Sequence, residues 1–181
     1  MLFTGGPASA ADSALLRLFA VPELVPAARL ITRLGDWPIL LPLTLAAAMV
    51  LYLAASRRIA LLYLLLILGG RALVVFEKSL IGRARPDETG RLVEVVSQSY
   101  PSGHAAYSMI AWLGLALLVT GRRRRRWAVA LSLAVAILVG LSRLVLAVHW
   151  PSDVIGGWAF GAAWTLLLVG RSRGTPAPER H

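Results

Sequence analysis

The chain has 181 residues, of which 57% are apolar and only 15% are charged, and its mean hydropathy is +0.70. A soluble domain has roughly a quarter of its residues charged, so this composition excludes a disordered chain, a coiled coil and an ordinary soluble enzyme. It indicates one domain of several helices folded in a lipid bilayer. The sequence has no cysteine, which excludes disulfides, thiolate metal sites and thiol nucleophiles.

The N-terminal part, residues 1–36, is predicted to be an interfacial helical segment. It lacks a basic start followed by a long apolar stretch, so no cleavable signal peptide is predicted. Within residues 14–34, arginines interrupt the apolar positions, and Pro22 and Pro26 break them. We expect one or two amphipathic helices at the membrane surface here, with a sixth membrane crossing as the weaker alternative.

Five apolar segments follow, and each is predicted to be a transmembrane helix. At about 1.5 Å per residue, each crosses most or all of a hydrocarbon core about 30 Å thick. The predicted fold is all-α, a polytopic membrane helix bundle with five clear transmembrane helices plus an N-terminal amphipathic or sixth helix. The segments comprise approximately residues 38–55, 59–76, 105–120, 127–148 and 155–170. A membrane-embedded core over residues 37–172 and a disordered cytoplasmic tail over residues 173–181 complete the predicted organisation.

The basic residues predict the orientation of the chain. There are 19 basic and 9 acidic residues, giving a net charge of +10. Arginines occur between the first two spans, as the run Arg122–Arg126 between the third and fourth, and after the fifth. With five crossings all three groups lie on one side, which the positive-inside rule makes cytoplasmic. We therefore interpret the arginine run as a topology signal of a multi-pass inner (plasma) membrane protein. Binding of nucleic acid or anionic lipid is the less favoured alternative.

The same count of crossings brings the unusual polar residues together at the opposite, outer face. Cations beside a glycine-opened backbone are what a bound phosphate needs, and two histidines suit proton transfer or nucleophilic attack near neutral pH. Asp153, four residues after His149, can hold one ring nitrogen and leave the other to attack. These residues are Lys78, Arg83 and Arg85 after the second span, Ser102, Gly103 and His104 before the third, Arg143 and His149 in and after the fourth, and Asp153 before the fifth.

Three motifs in this set match a family pattern. The stretch from Lys78 to Pro86 fits K-x6-R-P, residues 101–104 read P-S-G-H, and the stretch from Ser142 to Asp153 fits S-R-x5-H-x3-D. With all three parts present in order and at full spacing, the chain resembles the type 2 phosphatidic acid phosphatase superfamily of integral membrane lipid phosphatases. Members of this family usually have six crossings, so the N-terminal part departs from the pattern.

The resemblance implies a role for each matched residue. His149 would be the nucleophile that forms a phosphohistidine, and Asp153 would orient it. His104 would protonate the leaving oxygen and later help to activate water. The residues implied to bind the phosphoryl oxygens are Lys78, Arg85, Ser102, Gly103 and Arg143. The family needs no metal ion or other cofactor, and cations occupy the places where a metal would neutralise charge.

Other residues admit simpler explanations. Arg83 is not one of the fixed letters of the motif, and anchoring at the interface explains it equally well. Arg71 lies inside a span, where pairing with an acid such as Glu77 and reaching a cavity both stay open. The glycine pairs at residues 69–70 and 156–157 predict close helix packing. The acidic residues 87, 88 and 94 predict a solvated loop rather than a metal site.

The predicted function is removal of phosphate from a lipid whose head group enters at the outer face. The substrate ranked first is undecaprenyl diphosphate, followed by phosphatidic acid and phosphatidylglycerol phosphate. A lipid phosphotransferase using the same phosphohistidine is the alternative, and a non-catalytic lipid-binding protein is less favoured. The apolar spans exclude a soluble vanadium haloperoxidase with the same motif, and no inverted repeat indicates a transporter. The expected partners are a lipid phosphate and the bilayer, without nucleic acid, and the oligomeric state is left open.

Overall fold

The described part of the molecule is a bundle of α-helices. The computed structural model describes residues 9–86 and 90–174, and within these ranges it has α-helices and two short 3-10 helices but no β-strand. The predicted all-α class is therefore confirmed. The helices are α1 (Ala10–Arg17), α2 (Val25–Ile31), α3 (Trp37–Ala54), α4 (Arg57–Ile81), α5 (Gly103–Val119), α6 (Arg122–Val145) and α7 (Pro151–Gly174), and the 3-10 helices are Pro22–Leu24 and Thr32–Gly35.

Four of these helices, α3, α4, α6 and α7, are long and apolar enough to cross a membrane. Helix α5 has 17 residues and rises about 25 Å, less than a hydrocarbon core about 30 Å thick. Helices α1 and α2 have only 8 and 7 residues, too few to cross. The predicted count of five spans plus a sixth helix is therefore not confirmed. The first two residues of the predicted tail, 173 and 174, belong to α7, so the tail prediction is wrong there. The rest of the tail, from residue 175 onward, and the acidic residues 87 and 88 lie outside the described residues.

Helix α4 extends beyond its apolar run, and this changes the setting of Lys78. The helix begins after Ser56, whose hydroxyl accepts a hydrogen bond from the Ile59 N–H at 3.2 Å. It ends at Gly82, where φ is 63°, a left-handed conformation that glycine adopts without steric cost. The sequence placed Lys78 just past the second span, whereas the structure places it in the last turn of α4 with its side chain buried.

Helix α5 packs closely against α7 because small residues face each other. A β-carbon added at Gly157 would lie 2.5 Å from the Ser102 carbonyl oxygen, and one at Gly161 would lie 2.8 Å from the Ala106 carbonyl oxygen. On α4, a β-carbon at Gly70 would lie 2.5 Å from the Ile110 side chain of α5. The close packing predicted for the two glycine pairs is thus confirmed, and it places the start of α5 directly against the first turns of α7.

A buried ion pair joins the N-terminal segment to this core. Asp12 of α1 is only 4% exposed, and its Oδ2 lies 2.7 Å from Nη2 of Arg83, which is 6% exposed. The other oxygen accepts a hydrogen bond from the Ser152 N–H at 3.0 Å. Burial would raise the pKa of the Asp12 carboxyl, but the hydrogen bonds from Ser152 and Arg83 hold it below its usual value. Arg83 is therefore buried and ion-paired. The alternative considered from the sequence, that Arg83 anchors the chain at the membrane interface, is wrong.

The packing at Gly157 gives a matched pair of test substitutions. Gly157→Ala forces a methyl group into a backbone carbonyl, which is expected to cost about 1–3 kcal/mol and to lower the melting temperature in detergent. Gly170→Ala, later in the same helix, meets nothing within 4 Å and is expected to melt at the wild-type temperature or slightly above it. If both variants melted alike, the close approach of α5 and α7 would be contradicted.

The ion pair of α1 gives a second stability prediction. Asp12→Ala leaves the buried Arg83 guanidinium with one carboxylate fewer, which is expected to cost on the order of 3 kcal/mol. Glu23→Ala removes an exposed carboxylate from the same N-terminal segment and serves as the control. Thermal unfolding of both variants in detergent is the measurement. Equal melting temperatures for Asp12→Ala and wild type would show that the pair does not hold α1 in place.

Candidate active site

A cavity of about 450 Å³ opens where α4, α5 and α6 end on one side of the bundle. Residues far apart in sequence meet here, as the count of crossings predicted. The predicted site residues that line it are Lys78, Arg85, Gly103, His104, Arg143 and His149. The other two, Ser102 and Asp153, have no exposed surface and lie behind this wall.

Two cations of the cavity are held by backbone carbonyl groups of the loop that follows α4 and of the turn that follows α6. The Lys78 ammonium donates to the Gln98 carbonyl at 2.6 Å. Arg85 donates from Nε to the Ser97 carbonyl and from Nη1 to the Val148 carbonyl, both at 2.6 Å. Burial lowers the pKa of Arg85 to about 10, which leaves the guanidinium charged at neutral pH. These bonds hold the positive groups at the cavity wall.

The turn that carries His149 is formed by the end of one helix and the start of the next. Helix α6 ends with Ala147 at φ 54° and with a hydrogen bond from the Val148 N–H to the Arg143 carbonyl, the Schellman pattern. Pro151 then begins α7, a position where its missing N–H costs nothing. The Asp153 carboxylate accepts from the Trp150 N–H at 2.9 Å, as in a capping box. His149 is therefore fixed between two helix ends.

The two ring nitrogens of His149 have different surroundings. Nδ1 lies 3.5 Å from Oδ2 of Asp153 and 3.5 Å from the Ser99 hydroxyl. Nε2 lies 3.1 Å from Nη1 of Arg85. Burial, and then the charges of Arg85 and Arg143, hold the pKa of His149 well below its usual value. The ring is therefore neutral at physiological pH, with its carboxylate partner behind it and Nε2 on the side of the cations.

The Asp153 carboxylate is itself held by a chain of buried groups. Oδ1 accepts from Nη1 of Arg83 at 2.6 Å, and Oδ2 accepts from the Ser99 hydroxyl. Since Arg83 also pairs with Asp12, the chain of contacts runs from α1 to His149. The sequence analysis missed Asp12 and Ser99. The available signal for Asp12 was that it is the first charged residue of the sequence, among small and apolar residues, and Ser99 carried none.

The N-terminal segment also supplies a partner for His104. Nε2 of His104 is hydrogen-bonded to Oδ1 of Asp36, at 2.5 Å. This hydrogen bond holds the pKa of Asp36 below its usual value. Nearby, Nη1 of Arg143 donates to the Thr32 hydroxyl at 2.7 Å. The sequence marked Asp36 only as a break before the first span, so its contact with His104 was missed.

Ser102 differs from the other predicted phosphate ligands. Its hydroxyl is buried and has no hydrogen-bond partner in the described part of the chain, and it does not line the cavity. Its N–H donates to the Asp153 carbonyl at 2.9 Å, which ties the start of α5 to the start of α7. Gly103, the first residue of α5, does line the cavity.

Arg71 also lines the cavity, which decides between the two options left by the sequence. Its guanidinium carbon lies 4.1 Å from the centre of the Trp37 ring and 5.6 Å from that of Tyr107. Pairing with Glu77 is not observed, because no ion pair joins these two described residues. Among the described residues there is also no group of three or more histidines and acids that could hold a metal ion.

Comparison with known proteins identifies the family of the chain. Residues 59–173 match the family model of the PAP2 superfamily. The chain is 33% identical over 145 residues to phosphatidylglycerophosphatase B of Bacillus subtilis, covering 77% of this chain and 71% of that protein. It is 41% identical over 71 residues to the undecaprenyl-diphosphatase of Sulfolobus acidocaldarius, covering 39% of this chain and 32% of that protein.

A solved structure gives the same result for the fold. The crystal structure of a transmembrane PAP2-type phosphatidylglycerolphosphate phosphatase from Bacillus subtilis superposes with a TM-score of 0.85 at 30% identity, covering 94% of this chain and 88% of that one. The family model covers more than half of the chain, and the resemblance seen in the three motifs is confirmed. The chain belongs to the PAP2 superfamily of membrane lipid phosphatases.

Proposed function

We propose that this protein hydrolyses a phosphate ester or diphosphate of a lipid through a phosphohistidine formed on His149. The observation that carries the proposal is the setting of the imidazole. The ring is neutral, its Nδ1 faces the buried Asp153 carboxylate, and its Nε2 lies beside the Arg85 guanidinium in a cavity lined with cations. A nucleophile backed by a carboxylate and facing an anion site is the arrangement that phosphoryl transfer requires.

In the first step, the cations bind the phosphoryl oxygens. Lys78, Arg85 and Arg143 supply charge-assisted hydrogen bonds, and Arg85 exchanges its contact with the imidazole for one with a phosphoryl oxygen. Nε2 of His149 attacks phosphorus, and the bond from phosphorus to the lipid oxygen breaks. His104 protonates that oxygen from Nδ1, since its Nε2 is engaged by Asp36. Asp153 stabilises the positive charge that develops on His149.

In the second step, water replaces the imidazole. His104, now deprotonated, takes a proton from water, the new oxygen bonds to phosphorus, and the phosphorus–nitrogen bond breaks. Inorganic phosphate is released and both histidines return to their starting forms. Ser102 contributes through its backbone bond to Asp153, since its hydroxyl is buried away from the cavity.

The cavity is proposed to open on the extracytoplasmic face of the inner membrane. The arginine-rich ends of the helices, Arg57 and Arg58 on α4 and the run Arg122–Arg126 on α6, lie at the helix termini opposite the cavity. The positive-inside rule makes that end cytoplasmic. This topology requires α5 to cross as well, with its flanking residues completing the span. The proposed substrates are undecaprenyl diphosphate first, then phosphatidic acid and phosphatidylglycerol phosphate. Two relatives are named for activity on the first and the third of these lipids.

The decisive assay measures phosphate release in detergent from a panel of lipid monophosphates and diphosphates. Wild type is expected to be active, and His149→Ala and Asp153→Ala are expected to lose roughly a thousandfold or more in turnover. Thermal unfolding checks that each variant folds. Arg57→Met, which changes an exposed residue at the far end of α4, is the control. If His149→Ala kept most of its turnover, the proposed role of His149 as the nucleophile would be refuted. If phosphate appeared on an added acceptor lipid, the protein would be a phosphotransferase.

A second prediction concerns metal ions. The cavity gathers guanidinium and ammonium groups in the place where a metal would otherwise neutralise the phosphate charge, so turnover is expected to be unchanged in EDTA. The same preparation assayed with and without the chelator provides the comparison. Loss of turnover in EDTA that magnesium restores would contradict this prediction.

A further inference from the structure

Arg71 is a cation of the cavity to which the proposed two-step reaction assigns no part. It lies on α4 seven residues before Lys78, so the two side chains share one face of the helix about 10 Å apart along its axis. Both line the same cavity. A guanidinium inside a spanning helix is costly and is a functional candidate by default.

The surroundings of Arg71 hold the guanidinium but leave its charge uncompensated. The group lies over the face of Trp37 at 4.1 Å and near Tyr107 at 5.6 Å, and the two rings meet edge to face at 6.2 Å. No carboxylate forms an ion pair with it in the described ranges, residues 9–86 and 90–174. Stacking on Trp37 fixes the plane of the guanidinium, and the Tyr107 hydroxyl engages one side of it. The remaining N–H groups at its rim are left for an anion. The result is a pre-oriented donor for an anion.

The rings that hold Arg71 also fix its position relative to the reaction. Trp37 directly follows Asp36, which is hydrogen-bonded to His104. The Tyr107 ring lies 3.1 Å from where a β-carbon on Gly103 would be, one turn along α5. Arg71 therefore lies on the side of the cavity that belongs to His104, the proposed general acid. This is the side from which the leaving group departs, and it is deeper toward the lipid tail than Lys78.

We propose that Arg71, seated on Trp37 and Tyr107, forms a second phosphate subsite that binds the tail-side phosphate of a lipid carrying two phosphates. This inference rests on the proposed function and narrows its substrate class. With a lipid diphosphate, His149 Nε2 bonds to the terminal phosphorus, the bond to the bridging oxygen breaks, and the lipid monophosphate leaves with that electron pair. Arg71 then donates hydrogen bonds to the phosphate whose charge increases.

The same subsite fits a phosphomonoester that also has a phosphodiester nearer the tail, as phosphatidylglycerol phosphate does. The shared chemistry is a second phosphate on the tail side, and the two sources differ in the kinetic constant affected. With a diphosphate the second phosphate gains charge in the transition state, so loss of Arg71 lowers kcat. A phosphodiester has the same charge before and after the step, so loss of Arg71 raises KM. Phosphatidic acid has only one phosphate and therefore has no second phosphate for Arg71 to bind.

The test substitution is Arg71→Met, which keeps an unbranched side chain against the two rings and removes the charge. The substrates are farnesyl diphosphate and farnesyl monophosphate, which share one tail, and phosphatidylglycerol phosphate and phosphatidic acid as a second pair. We expect kcat/KM to fall roughly ten- to hundredfold for the two-phosphate member of each pair and by less than about threefold for the monophosphate. Arg71→Lys is expected to retain part of the preference for the two-phosphate substrate. Arg57→Met, on the same helix, is expected to leave kcat/KM unchanged for both substrates.

Each outcome decides the subsite. Both substrates of a pair are assayed on the same preparation. The ratio of their kcat/KM values therefore does not depend on the fraction of folded protein. If Arg71→Met lowered kcat/KM equally for both substrates of a pair, Arg71 would be a structural part of the cavity wall and the subsite would be overturned. If kcat/KM changed for neither substrate, the subsite would also be overturned. If wild type released phosphate from neither substrate, the proposed function would fail and the subsite with it. If wild type were active and His149→Ala inactive while Arg71→Met was unselective, the subsite alone would fail.

Discussion

The structure depends on keeping one carboxylate ionised without solvent. Asp153 has no exposed surface, and a buried charge of this kind persists only when it is paired and hydrogen-bonded. Arg83, the Ser99 hydroxyl and the Trp150 N–H supply those partners. Arg83 in turn needs a second carboxylate, which Asp12 provides from α1. The N-terminal segment, the loop after α4 and the start of α7 therefore meet around Asp153, the group proposed to orient His149.

The two histidines of the cavity have carboxylate partners in contrasting environments. The partner of His149 is fully buried, whereas the Asp36 side chain beside His104 is 36% exposed. Burial and then the neighbouring cations lower the pKa of His149 and favour its neutral form. The partly exposed Asp36 carboxylate engages Nε2 of His104 and leaves Nδ1 for the proposed proton transfer to the leaving oxygen. Two residues of the same type thus receive different proposed roles from their surroundings.

The spacing of motifs and the count of apolar runs predicted much of the candidate site. Motif spacing is local in the sequence, and the number of crossings is obtained by counting apolar segments. Neither requires tertiary contacts, so together they predicted that Lys78, His104 and His149 lie at one face. The partners Asp12 and Asp36 were missed because they lie in a segment with neither long apolar periodicity nor motif spacing, and only tertiary packing joins them to the site. Helix α5 was counted as a span because it is apolar, although both the predicted segment, residues 105–120, and the observed helix are shorter than a hydrocarbon core about 30 Å thick.

The central claim is that His149 itself bonds to phosphorus. The direct measurement is rapid quenching of the protein during turnover of a lipid phosphate labelled with phosphorus-32, at high pH to preserve a phosphoramidate, followed by mass-spectrometric location of the label. The expected result is an acid-labile phosphoryl group on His149 that disappears on a chase with unlabelled substrate. A label on His104 or another residue, or phosphate release without any labelled residue at every quench time, would contradict the proposal.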